Sequence, residues 1–154
     1  MKLLALRKEA LLPRIDGIER NLSKLQLLGK KPLSEFEKRG DTFDLTQHHL
    51  RLALEGIFHI GSHILSRLPG SRVTSYKEIA VRLGEKGIVD QSFANEKLVK
   101  MAGYRTRLTH FYHDITPKEL YQILQNELPD IEIFLQATKN VLLHPEQFSL
   151  TLGS

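Results

Sequence analysis

Apolar residues recur at helical spacing along almost the whole chain. Leu11, Ile15, Ile18, Leu22 and Leu25 stand three or four residues apart and mark one buried helical stripe. Pro13 is expected to start or kink this helix, and Gly29 to end it. A second stripe, Leu50, Leu54, Ile57, Gly61, Ile64 and Leu68, holds its phase long enough to predict a long core helix, closed by Leu68-Pro69-Gly70-Ser71. Three stretches have the form of a capping box: Ser34-Glu35-Phe36-Glu37, Ser75-Tyr76-Lys77-Glu78 and Thr116-Pro117-Lys118-Glu119. A short helix follows Ser75, with Gly84 and Gly87 bounding its end. A fourth begins near Asp90; Ala94, Leu98 and Met101 face one way, and the same phase carries Arg105 and Leu108. Residues 111–116 read as a turn. The last stripe, Leu120, Leu124, Leu128, Ile131, Leu135 and Leu142, stays in phase through Pro129, which predicts a kink rather than two helices. No segment alternates with period two, and no repeat or linker interrupts the chain. The expected fold is all-α: an antiparallel bundle of about five helices, with residues 1–154 as one domain.

Composition narrows the function classes. No run of 18 apolar residues exists, so no membrane span is expected. The apolar stretch at residues 1–12 is broken by Arg7, Lys8 and Glu9 and lacks a small-residue cleavage site, so no signal peptide is read there. The absence of cysteine excludes disulfides, thiolate metal sites and thiol nucleophiles, and fits a cytoplasmic protein. A net charge of +4 permits a polyanionic partner, but no dense Lys/Arg block points to one.

The chemistry-bearing stretch is Met101–Asp114. Arg105 falls on the apolar face of its helix, and a half-buried guanidinium needs an anion or carbonyl beside it. That partner is either a Glu or Asp of another helix or a bound ligand. His110 follows five residues later, about 140° around an ideal helix, so the two converge only if the helix ends or bends near Thr109. Read alone, His110 is a solvated or capping residue and Tyr112 a packing residue. On the long helix, His48, Glu55, His59, Ser62, His63 and Ser66 form a polar face opposite the leucine stripe. Its histidine content fits a cleft or subunit interface better than a solvated face. Glu55, His59 and His63 are spaced so that zinc ligation is conceivable, but the His-Glu-x-x-His arrangement is absent and no metal or cofactor is assigned. Phosphate-binding loops, dinucleotide fingerprints and nucleophile elbows are absent too.

Arg105-x4-His110-x-Tyr112, preceded by Met101-Ala102-Gly103-Tyr104, resembles the Arg-x4-His-x-Tyr signature of the HepT-like HEPN family. The long helix around Leu50–Ile57, the helix after Val73 and the restart at Asp114–Leu120 sit where that family has them. Thr106 and Thr109 depart from its usual residue types. The resemblance implies a homodimeric, metal-independent endoribonuclease toxin acting on RNA, with Arg105, His110 and Tyr112 as catalytic residues; the polar face with Glu55, His59 and His63 is read from the residues themselves as its support. It also implies a partner, an MntA-like nucleotidyltransferase antitoxin that silences the toxin by adenylylating Tyr112. The alternative is a catalytically silent helical module that only binds such a partner.

Overall fold

The computed structural model describes residues 4–70, 72–110 and 115–153. Its elements run α1 (Lys8–Leu28), α2 (Leu33–Glu37), α3 (Asp41–Ser66), α4 (Tyr76–Glu85), α5 (residues 91–109), α6 (Pro117–Asn126), α7 (Leu128–Leu143) and a short 3-10 turn at Pro145–Phe148. Among the described residues there is no strand, only one isolated bridge between Leu6 and Leu152. No helix of the described residues is long and apolar enough to cross a membrane.

The two long stripes meet. Leu11, Ile15, Ile18, Leu22 and Leu25 of α1 are all buried, as are Leu50, Leu54, Ile57, Gly61 and Ile64 of α3. Contacts between these helices run in opposite senses: Arg14 meets His59, Ile18 meets Gly56, and Asn21 meets His49. The pair is therefore antiparallel. α7 lies on α1 in the same manner, with Lys139 on Glu19 and Gln26 on Glu132.

Glycine sets how closely α3 is approached. A β-carbon on Gly56 would come within 2.7 Å of the Ile18 side chain, and one on Gly61 within 2.8 Å of Ile79 on α4. Gly84 of α4 repeats the device, with Ala94 of α5 at 2.6 Å from the same hypothetical atom. α4 and α5 are thus pressed together and onto the C-terminal half of α3.

Several local expectations are corrected. α1 begins at Lys8, so Pro13 lies inside it rather than at its start. Ser34 is not a cap: α2 opens at Leu33 behind Pro32, which has no side-chain acceptor to offer. The last stripe is two helices, α6 and α7, parted at Glu127 (φ −118°, ψ −5°). The Pro129 ring cannot donate back to Gln125 and crowds that carbonyl, so the ladder breaks while the apolar phase continues. α5 holds a π-helical turn at Ala94–Leu98 between α-helical pieces at Gln91–Phe93 and Val99–Thr109. The caps at Ser75 and Thr116 form as expected, their hydroxyls accepting from Glu78 N–H and Glu119 N–H.

Gly61→Val tests the packing at α4. Two added methyl groups would drive into Ile79 and Leu83, so a loss of about 1–3 kcal/mol is expected in urea unfolding.

Candidate functional site

α5 carries Arg105 to the place where α3, α4 and α5 meet. Its side chain is 19% exposed. The guanidinium lies over the Tyr76 ring, 4.6 Å from the centroid, a cation–π contact on the first residue of α4. Nη2 reaches Glu55 Oε1 of α3 at 3.4 Å, and Nη1 donates to Thr109 Oγ1 at 3.1 Å. Nε is buried and has no hydrogen-bond partner among the described residues. An unmet buried donor costs about 1–3 kcal/mol or more when charged, so this edge of the guanidinium calls for an acceptor that no described residue supplies.

Glu55 is shared. Its Oε1 also accepts from Arg51 Nη1 at 3.1 Å, so one carboxylate serves two guanidinium groups. His59 sits one turn further on, with its Nδ1 accepting from Arg14 Nη1 at 2.9 Å. Arg14, Glu55 and His59 line one groove between α1 and α3. His63 is not part of that group: its Nε2 accepts from the Arg7 backbone N–H at 3.1 Å, which turns it toward the N-terminal segment. His48 stays exposed and meets His49 edge-on. Among the described residues no group of three or more His, Cys, Asp or Glu side chains is placed to hold a metal ion.

α5 ends at Thr109. His110 follows with extended backbone (φ −115°, ψ 124°) and an exposed side chain, which removes the angular separation an unbroken helix would impose. Tyr112 lies outside the described residues, as does most of the expected turn at 111–116. The two sides of that turn are held together. Arg107 grips Glu119 with two bonds of 2.7 Å each, and Glu119 N–H bonds the Thr116 hydroxyl. The Arg107 bond comes first among the causes that hold the Glu119 carboxyl below its usual range. Tyr104 is directed elsewhere. Its hydroxyl donates to Glu127 Oε2 at 2.9 Å, and burial, then that bond, push its pKa up to about 12.

A family model described as ribonuclease HepT-like matches residues 18–138. The chain belongs to the ribonuclease HepT-like family. It is similar to a protein named tRNA nuclease HepT from Aphanizomenon flos-aquae (strain 2012/KM1/D3), with 24% identity over 134 residues, 87% of this chain and 90% of that protein. A solved structure described as the crystal structure of the toxin-antitoxin with AMP-PNP superposes with a TM-score of 0.70 at 20% identity, covering 86% of this chain and 98% of that one. At that identity the likeness is one of fold, and it agrees with the expected HEPN-like bundle.

Within the HepT-like motif, Thr109 proves useful rather than merely unusual: its oxygen accepts from Arg105 Nη1. Thr106 bonds back to the Ala102 carbonyl at 3.1 Å, like many helical threonines. Three neighbours escaped the sequence reading. Tyr76 was visible only as the residue after a cap, Arg14 only as a polar position of α1, and Glu119 only as a capping residue. No spacing rule ties any of them to the motif.

Two predictions follow from these contacts. Glu119→Gln keeps the cap geometry but weakens the Arg107 pair, which is about one-third exposed; a loss of about 1 kcal/mol, or roughly 2–4 °C in Tm, is expected by calorimetry. The second concerns pH. His59 is held below its ordinary pKa by partial burial, then by Arg14 and Arg105, against the opposing pull of Glu55. For His63 the causes are burial, then Arg67, Arg7 and Arg14, against Glu9. A histidine with a lowered folded pKa binds fewer protons than in the unfolded chain. Stability is therefore full above about pH 6.5 and is lost as pH falls from there through the lowered value. Tm scans from pH 8 to 5 should show this decline, and His63→Gln should flatten it.

Proposed function

We propose that this chain is a metal-independent endoribonuclease, the toxin of a toxin–antitoxin pair, with residues 1–154 working as one domain. The observation that carries the reading is the buried Arg105 Nε with no partner among the described residues, on a guanidinium already oriented by Tyr76, Glu55 and Thr109. An Nε–Nη edge is the geometry that takes two non-bridging phosphate oxygens. Family membership supports RNA as the source of that phosphate.

The chemistry needs one proton removed from the 2′-hydroxyl and one delivered to the leaving 5′-oxygen. An imidazole suits both tasks near neutral pH. One chain offers a single His110. In a homodimer two copies of Arg105 and His110 line one cleft, so that one imidazole accepts while the other donates. Arg105 neutralises charge gathering on the phosphate. Attack of the 2′-oxygen on phosphorus with departure of the 5′-oxygen leaves a 2′,3′-cyclic phosphate and a 5′-hydroxyl. Tyr112 orients the phosphate or His110. The donor set fits this route: Glu55, the carboxylate beside Arg105 among the described residues, is already bound by two arginines.

Silencing is assigned to an MntA-like nucleotidyltransferase. It transfers adenylate from ATP to the Tyr112 phenol oxygen, with pyrophosphate leaving. Each adenylate adds bulk and negative charge to the motif and so repels an RNA strand. Tyr104, with its hydroxyl half-buried and held by Glu127, is a poor acceptor for the same transfer.

The test uses purified protein, RNA and EDTA. Cleavage to cyclic-phosphate ends is expected to persist in EDTA and to fall about 10²–10⁴-fold in Arg105→Ala and His110→Ala. Activity that demands added Mg²⁺ refutes the route. Harmless expression of the wild type, with a nucleotidyltransferase still co-purifying, supports a silent binding module instead. Mass spectrometry after incubation with that partner and ATP should place adenylate on Tyr112.

A further inference from the structure

A second groove opens on the other side of Tyr76. It is a hollow of about 1020 Å³ between α4, α5 and the last turns of α3. Val99 and Ile79 contribute apolar surface to it. Hydroxyls of Ser62, Thr74, Ser75 and Thr106 stand along its sides, with Lys77 and Arg107 on the rim. None of the described residues that line it is acidic.

One feature of its wall has no explanation within the chain. Gly103 sits inside α5 with ordinary helical backbone and faces open space: a β-carbon there would meet nothing within 4 Å. Glycine is the poorest helix former after proline, and here it relieves no clash and makes no turn. Gly56, Gly61 and Gly84 each admit a neighbouring side chain; Gly103 admits none from this chain. Its missing side chain keeps the α5 backbone open to something from outside.

We propose that this groove holds the nucleotide flanking the phosphate gripped by Arg105, a statement that rests on the ribonuclease reading above. The groove adjoins the grip directly. Tyr76 lines it and also carries the Arg105 guanidinium, and Thr106 on its wall is the next residue in the chain. Apolar surface suits a base, the hydroxyls suit a ribose, and Lys77 on the rim suits the following phosphate. A protein segment would make no use of that continuity with Arg105.

Binding is measured with the full chain and a fluorescent 2′-O-methyl oligoribonucleotide, which cannot be cleaved through its 2′-oxygen. Gly103→Trp fills the groove and is expected to weaken binding tenfold or more. Gly103→Ala should raise Tm by about 2 °C and weaken binding severalfold, less than Gly103→Trp does. Lys77→Ala should weaken binding severalfold and lower the slope of log Kd against log salt by about 0.7. Wild-type binding by Gly103→Trp overturns the proposal. If that variant does not fold, unchanged affinity and salt slope in Lys77→Ala overturn it instead. A Gly103→Trp that binds RNA normally but loses a protein partner, or changes oligomeric state, also overturns it and assigns the groove to protein. A wild type that binds this oligonucleotide through the groove yet cleaves no unmodified RNA of the same sequence refutes the ribonuclease reading and leaves the groove standing.

Discussion

A guanidinium that is four-fifths withdrawn from water has to be held from several sides, and in this protein three helices do so. α5 supplies Arg105, α4 places an aromatic ring under it, and α3 brings up a carboxylate. Each arrives for a packing reason of its own. Gly61 and Gly84 let α4 lie close enough for Tyr76 to reach. The α3 stripe buries one side of that helix and turns Glu55 outward. Removing any one of these would leave a buried charge short of partners, so fold and site share the same constraint.

The polar face of α3 is divided between two tasks. Its middle, at Glu55 and His59, belongs with the arginine cluster. Its end, at His63 and Ser66, ties down the segment before α1 and the Arg67 side chain. A helix face that looks uniform in sequence is thus split by what packs on it. Partial burial, then the charges of the neighbouring arginines, explain why both histidines resist protonation.

Much of the bundle was legible because apolar spacing reports burial directly. The α1 and α3 stripes, and the placing of Arg105 on the inner side of α5, needed nothing more. Features set by backbone breaks were less visible. The apolar phase runs straight through Glu127 although the hydrogen-bond ladder does not, and Ser34 had the right neighbours for a cap but the wrong residue at the cap position. For the site, the motif marked Arg105, His110 and Tyr112, and the α3 face suggested Glu55. That Glu55 meets Arg105, fifty residues away, and that Tyr76 lies beneath it, are tertiary facts with no local signature.

The π turn at Ala94–Leu98 gives α5 one residue more than a regular helix of the same rise would hold. Its first residue, Ala94, is locked against Gly84; downstream come Arg105, Arg107 and the exit to His110. A regular helix advances about 100° per residue. Shortening the turn by one position would swing the whole downstream half by roughly that angle while its packed start stayed in place. The aim of the motif is thus tuned by a single supernumerary residue, three turns from the arginine it directs.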